Sequence, residues 1–253
     1  MLSQPFALTG KRALITGGGT GLGLGIAHAF VQAGARVVLT GRREDVLQQA
    51  CAELGEAAAY RVNDIGELAA LPGLVAGIET SFGPLDILVN NAGINLKRPA
   101  LEVTDEDVQR ILHTNVTGLF ALTREVARGM VARQAGSIIM ITSMAALYGL
   151  SQVAPYSASK SAVLGMSRVL ASDLSPHGVR VNCIAPGFID SPMLRKALDA
   201  DTARQQKVLG RTPMGRYGQA EDIGHAAVYL ASDAARFVTG VNLPVDGGNS
   251  IGF

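Results

Sequence analysis

The 253-residue chain predicts an α/β fold, a doubly wound seven-stranded parallel sheet with helices on both faces. Three observations carry that prediction. Short apolar runs alternate with stretches of helical spacing along the whole chain. Several runs are continuously apolar, as strands buried on both faces require. The first run passes through a glycine-rich turn into the first helical stretch, which is how a βαβ unit opens.

Lys11–Gly17 (KRALITG) is a buried strand stopped by glycine, and Gly23–Ala35 has helical spacing that ends at Gly34. Arg36–Gly41 is the second strand and Arg43–Leu54 the second helix. Ala57–Asp64 reads as the third strand, followed by a helix broken near Pro72–Gly73. Leu85–Gly93 is the fourth strand; a long helical stretch from about Thr104 to Ala135 leads to the fifth, Gly136–Ser143. Tyr156–Ser175 is helical, Gly178–Gly187 is the sixth strand, and residues 191–235 are mostly helical and polar. Gly240–Gly248 supplies the seventh strand. No repeat, low-complexity tract or linker interrupts this order, so residues 1–253 are expected to form one domain.

Composition narrows the function. A hydrophobic share of 48% against 17% charged residues suits a filled core rather than disorder. A net charge of +1 offers no field for nucleic acid or a membrane surface, so neither is an expected partner. Cys51 and Cys183 lack metal-ligand spacing and a disulfide framework, and read as small buried thiols. The four histidines, His28, His113, His177 and His225, are scattered, so no metal is expected. The opening MLSQPFALTGKRALITG lacks the pattern of a secretory leader, and no apolar run is long enough to span a bilayer. The expected location is the cytoplasm.

Two motifs suggest chemistry. Ile15–Ala27 (ITGGGTGLGLGIA) spaces Gly17, Gly21 and Gly23 as G-x-x-x-G-x-G between strand and helix. Such glycines allow a tight turn and let backbone N–H groups approach a pyrophosphate at a helix N-terminus. Tyr156 and Lys160 stand four residues apart in a helical run, on one face. An ammonium there is expected to favour the phenolate and lower a phenol pKa that is ordinarily about 10. Taken alone, the pair reads as an ordinary helix-face contact before a catalytic dyad.

In order along the chain stand TGGGTGLG (Thr16–Gly23), NNAG (Asn90–Gly93), HTNVTG with Asn115, ITS with Ser143, YSASK with Tyr156 and Lys160, and APG (Ala185–Gly187). Together they resemble the short-chain dehydrogenase/reductase family over nearly the whole chain. The resemblance implies a Rossmann-type fold, a nicotinamide cofactor and a catalytic tetrad of Asn115, Ser143, Tyr156 and Lys160. In that pattern Tyr156 transfers the proton, Ser143 steadies the substrate oxygen, Lys160 also binds the nicotinamide ribose, and Asn115 holds a water. The cofactor is then held by Gly17, Gly19, Thr20, Gly21, Leu22 and Gly23 at the turn. Asp64 and Ile65 follow the third strand, and Asn91, Ala92 and Gly93 the fourth. Tyr156, Lys160, Pro186, Gly187 and Ile189 complete the set. Asn90 has the alternative role of stabilising the sheet.

The second strand ends at Thr40 and Gly41, followed by Arg42 and Arg43. No carboxylate stands there to repel a 2′-phosphate, and a guanidinium binds one in a fork, so NADP is expected over NAD. Substrate specificity is expected in a covering segment at about residues 188–218. The resemblance extends to the gluconate 5-dehydrogenase and 2-deoxygluconate 3-dehydrogenase branch. This implies an NADP(H)-dependent oxidoreductase interconverting a secondary alcohol and a ketone, with a sugar acid such as gluconate as substrate. Arg98, Ser143, Tyr156 and Met193 are the expected substrate contacts, with Lys97, Arg195 and Lys196 as further cations for a carboxylate. The rivals are a 3-oxoacyl-acyl-carrier-protein reductase, a reductase of apolar ketones, and a non-catalytic cofactor-binding regulatory protein. A homotetramer through the two long helices and the C-terminal end is the oligomer the family implies.

Overall fold

The computed structural model describes residues 5–191, 194–195 and 202–252. Its strands are β1 (Arg12–Thr16), β2 (Arg36–Gly41), β3 (Ala58–Val62), β4 (Ile87–Asn90), β5 (Gly136–Ile141), β6 (Val179–Pro186) and β7 (Asn242–Val245). They form one seven-stranded sheet in the order β3-β2-β1-β4-β5-β6-β7, every pairing parallel. The described helices are α1 (Gly21–Gln32), α2 (Glu44–Leu54), α3 (Leu71–Phe82), α4 (Asp105–Leu112), α5 (Leu119–Arg133), α6 (Ala154–Leu174), α7 (Thr202–Arg211) and α8 (Ala220–Ala231).

The continuous apolar runs have a direct cause. Successive strand residues face opposite sides, and both sides are covered. Leu14, Leu88, Ile138 and Val181 pack with Val75 and Ile78 of α3, Leu122 and Val126 of α5, and Val163 of α6. On the opposite face of the same strands, Ile15, Val89, Ile139 and Ile184 pack with Ile26 and Phe30 of α1, Leu47 of α2, and Ile223 and Leu230 of α8. Burial on that scale, at about 25 cal/mol per Å² of apolar surface, is what holds the strand ends in place for a site.

Two helical expectations change. Pro72 does not break a helix; it lies in the first turn of α3, where its fixed φ fits and its missing N–H would be unpaired anyway. The long stretch from Thr104 is not continuous α-helix. Thr104 caps α4 by accepting from the Asp107 N–H at 3.2 Å, and a π-turn, His113–Gly118, then separates α4 from α5. Such turns re-aim side chains within a helix and recur at functional sites. Of the polar stretch 191–235, residues 192–193 and 196–201 lie outside the described ones. Strand order reverses between β1 and β4, and the crevice beyond their C-terminal ends is where an open parallel sheet binds ligands. Among the described residues no helix is long and apolar enough to cross a membrane.

Candidate active site

A cavity of about 450 Å³ opens beyond the C-terminal ends of β1, β2, β4, β5 and β6. Its floor is the glycine-rich turn. Gly17 and Gly21 have φ of +63° and +55°, values that side chains disfavour. A Cβ on Gly23 would stand 2.2 Å from the Gly17 carbonyl oxygen, so the helix can sit this close to the strand only without one. Gly23 therefore shapes the turn from beneath, while Gly17, Gly19, Thr20, Gly21 and Leu22 line the cavity. Thr20, the N-cap of α1, has extended backbone and makes no side-chain capping bond. The leading N–H groups of α1 thus face the cavity mouth as donors for an anion.

The turn is locked to β4. Thr16 Oγ1 accepts from the backbone N–H groups of Asn91 at 3.0 Å and Ala92 at 2.9 Å. Asn91 Nδ2 donates to the carbonyls of Thr16 and Gly17 at 2.9 and 3.1 Å. Asn90 points away, donating to Thr123 Oγ1 of α5 at 2.8 Å, which is the sheet-stabilising alternative. Asp64, Ile65, Ala92, Gly93, Pro186, Gly187 and Ile189 also line the cavity.

Ser143, Tyr156 and Lys160 line the same cavity at its other end. The Lys160 amine is 5.6 Å from the centre of the Tyr156 ring. It donates to the Ile141 carbonyl at 2.7 Å, and its residue is only 4% exposed. Burial lowers the Lys160 pKa to about 8, with the nearby Cys183 acting the other way. Burial also raises the Tyr156 phenol above its ordinary value, opposed by a hydrogen bond with Ser143. Burial, not Lys160, thus sets the direction of the Tyr156 shift in this structure. Both groups lose water together, and the ammonium is turned to a carbonyl rather than to the phenol oxygen.

Asn115 does not line the cavity. It sits in the π-turn, 1% exposed. Its Oδ1 accepts from the Ile94 N–H at 2.8 Å, and its Nδ2 donates to the Ile94 carbonyl at 2.9 Å and to Ser159 Oγ at 3.0 Å. Ser159 in turn donates to the Tyr156 carbonyl at 2.7 Å. The sequence reading missed Ser159; its position three residues after Tyr156 was the available signal.

At the β2 end Arg42 and Arg43 line the cavity with Thr40 and Gly41. The Arg42 guanidinium is 69% exposed and 3.7 Å from the Asp64 carboxylate. Asp64 also accepts from the Gly66 N–H at 2.9 Å, which fixes the turn after β3.

The cations expected for the substrate are placed differently. Arg98 is not a lining residue: its guanidinium pairs with Asp107 at the head of α4, and its N–H donates to the Gln152 carbonyl at 2.8 Å. A carboxylate already fixed in the α4 cap captures it, and that is why the loop carries it away from the cleft. Arg195 grips Asp190 with two bonds of 2.8 and 2.9 Å. Lys97 is not among the lining residues, and Met193 and Lys196 fall outside the described ones. The cavity that Ser143 and Tyr156 line is walled also by Asn95, Leu150, Val153, Phe188, Ser191 and Leu194. Leu150 and Val153 belong to a loop with no motif, so only the fold reveals them. Among the described residues, no group of three His, Cys, Asp or Glu side chains suited to a metal comes together.

The family model described as enoyl-(acyl carrier protein) reductase matches residues 17–250. The gluconate 5-dehydrogenase of Gluconobacter oxydans (strain 621H) is 39% identical over 99% of both chains. The galactitol 2-dehydrogenase (L-tagatose-forming) of Cereibacter sphaeroides is 41% identical over 97% of both. Among solved structures, a gluconate 5-dehydrogenase from Burkholderia cenocepacia J2315, in complex with NADP and tartrate, superposes with a TM-score of 0.93 at 37% identity, covering 98% of each chain.

Proposed function

This chain belongs to the short-chain dehydrogenase/reductase family, and from that premise we propose that it interconverts a secondary alcohol and its ketone with NADP(H), on a small hydroxylated substrate of the sugar class. One observation carries the reading. Ser143, Tyr156 and Lys160 share a cavity with a glycine turn whose helix N-terminus offers uncapped N–H donors. The turn fits a dinucleotide: a Cβ at Gly23 would clash, and the donors need an acceptor. Arg42 and Arg43, with no acid at the strand end, favour the 2′-phosphate, and the gluconate 5-dehydrogenase structure from Burkholderia cenocepacia J2315 is itself in complex with NADP.

When bound, NADP(H) supplies or accepts the hydride and, oxidised, adds a positive ring charge. The chain's own residues do the rest. The Ser143 hydroxyl donates to the substrate oxygen. In reduction Tyr156 gives its phenolic proton to the oxygen as negative charge grows there; in oxidation it takes the proton from the alcohol. Lys160, with a pKa of about 8, is poised to restore or remove that proton near neutral pH, and in the family pattern also binds the ribose. Asn115 fixes the wall that carries Ile94.

The relatives' names span a sugar acid and an alditol, and carbohydrate is their common class. Steady-state assays test the reading. D-gluconate, galactitol, a neutral ketone and a 3-oxoacyl thioester are each compared with NADP and with NAD. Sugar-class turnover, faster with NADP, is expected. A preference for the thioester would favour the acyl-carrier reductase. NADP binding without any turnover would favour a regulatory protein.

The same reading takes residues 1–253 as one domain in a homotetramer. Exposed Phe120 on α5, Val169 on α6 and Val241 beside β7 suit contacts between copies through the long helices and the C-terminal end. A monomeric mass by light scattering at micromolar concentration would contradict it. Two free thiols, Cys51 and Cys183, suit the reducing cytoplasm.

A further inference from the structure

The loop that follows Ser143 forms one wall of the cavity, through Leu150 and Val153, before α6 begins. Tyr148 lies in this loop but does not line the cavity. Its phenol donates to Oδ1 of Asn249, a fully buried residue in the turn after β7. The Asn249 Nδ2 donates to Thr212 Oγ1 at 2.8 Å. The Arg211 guanidinium stacks 4.3 Å from the centre of the Tyr148 ring, and its Nε donates to the Asn249 carbonyl at 3.0 Å. Three segments distant in sequence therefore meet on one tyrosine: the loop after β5, the end of α7 and the C-terminal turn. None of these four side chains has a part in the chemistry above.

From this geometry we infer that Tyr148 is a positioning residue that pins the Leu150–Val153 wall to the C-terminal turn and so sets affinity for substrate. The inference rests on the reading of the cavity as an NADP(H)-dependent alcohol site. The physical case has three parts. Beyond a single 3₁₀ turn at Met144–Ala146 the loop has no regular structure, and such a segment pays an ordering cost whenever it must shape a pocket; an anchor removes that cost before substrate arrives. The anchor is two-fold, a hydrogen bond to a buried carboxamide and a cation–π contact, and each is stronger away from water. Burial raises the phenol's pKa above its ordinary value, against the pull of Arg211, so it remains a donor through the neutral range.

Two variants divide the anchor. Tyr148→Phe removes the hydroxyl and keeps the ring over Arg211; Tyr148→Leu removes both. The probe is whichever of D-gluconate and galactitol the wild-type enzyme oxidises faster with NADP. Its KM is expected to rise about three- to tenfold in Tyr148→Phe, as loss of one hydrogen bond implies, and further in Tyr148→Leu. Binding of NADP alone, followed by calorimetry, should stay within about twofold of wild type, because the phosphate turn is not part of the anchor. Thermal melting identifies any variant that fails to fold; if Tyr148→Leu does, Tyr148→Phe decides alone. An unchanged KM in Tyr148→Phe overturns the inference, and so does an equal weakening of substrate and NADP. A wild-type enzyme that turns over neither probe defeats the functional reading itself, before any variant is compared.

Discussion

The Asn115 carboxamide holds both backbone groups of Ile94, accepting from its N–H at 2.8 Å and donating to its carbonyl at 2.9 Å. A side chain thereby does for the end of β4 what a neighbouring strand would do. The π-turn makes this reach available, since an uninterrupted helix would aim position 115 elsewhere. A Cβ on Gly93 would stand 3.2 Å from Asn115 Oδ1 and 3.7 Å from Lys160 Nζ, so these two groups converge above one glycine.

Asn115→Ala leaves the N–H and carbonyl of Ile94 without this partner, while the Ser159 hydroxyl keeps its bond to the Tyr156 carbonyl. Each unsatisfied buried group costs about 1–3 kcal/mol, less where water enters. We expect a melting temperature lower by about 4–10 °C and kcat reduced at least tenfold. Ser159→Ala, which removes the bonds to Asn115 Nδ2 and the Tyr156 carbonyl but keeps both bonds to Ile94, should cost less on both measures. Melting curves and steady-state rates decide; equal stability of Asn115→Ala and wild type would remove the clamp from the account.

Tyr156→Phe keeps the ring packing and removes the transferable proton. General acid–base groups contribute about 10²–10⁴-fold, so kcat should fall by at least that much while NADP affinity stays nearly constant. Because burial holds the phenol above its ordinary pKa, the oxidation rate of the wild-type enzyme should climb with pH through the neutral range. A variant turning over at a rate near wild type would remove Tyr156 from the proton path.

Arg42→Ala tests cofactor choice. The Arg42–Asp64 pair is 3.7 Å apart and exposed, so it contributes little by itself and leaves the guanidinium available to a phosphate. We expect about a tenfold rise in KM for NADP and a change within about twofold for NAD. Wild-type kcat/KM higher with NAD than with NADP would reverse the assignment.

Arg98→Ala separates two roles for one cation. In the sequence, Arg98 stands close behind NNAG and invites a substrate carboxylate. In the fold its guanidinium ties the loop after β4 to Asp107 at the head of α4, while the bond to the Gln152 carbonyl comes from its backbone N–H, which alanine keeps. Its removal should lower kcat/KM for D-gluconate and galactitol by similar factors. A loss confined to gluconate would restore the carboxylate contact.

That contrast marks what a sequence of this kind discloses. The strand segments and the glycine turn were legible because backbone constraints leave local marks: continuous apolar runs for strands covered on both faces, glycines where Gly17 and Gly23 come into contact. Ser143, Tyr156 and Lys160 were legible as a motif, and the cavity brings them together. What stayed hidden depends on tertiary partners. Nothing near Arg98 announces that Asp107 will capture it, and nothing near Tyr148 announces Asn249. The electrostatics were hidden for the same reason: the phenol's pKa is set by burial, which no spacing of residues records.

Lys160 offers a trade between stability and catalysis. Its pKa falls from the ordinary 10.5 to about 8 because folding strips water from the ammonium. At pH 7 the amine is protonated in both the folded and the unfolded chain, so the full cost of burying the charge weighs on the fold. Between about pH 8 and 10.5 the unfolded chain holds the proton more tightly than the folded one, and this group's contribution to stability rises with pH. Replacing the charge with an apolar chain of similar length removes that cost, less the hydrogen bond to Ile141. Lys160→Met should therefore be nearly inactive yet more stable at pH 7, by on the order of 2 kcal/mol. In a chain of this size that is about 4–8 °C in melting temperature. The advantage should shrink steadily as pH rises from 8 towards 10.5, where the wild-type amine is neutral in the fold. Paired melting curves across that range are the measurement. A variant no more stable than wild type at pH 7, or one whose advantage persists unchanged to pH 10.5, would mean that the buried ammonium is compensated by its surroundings and carries no such cost.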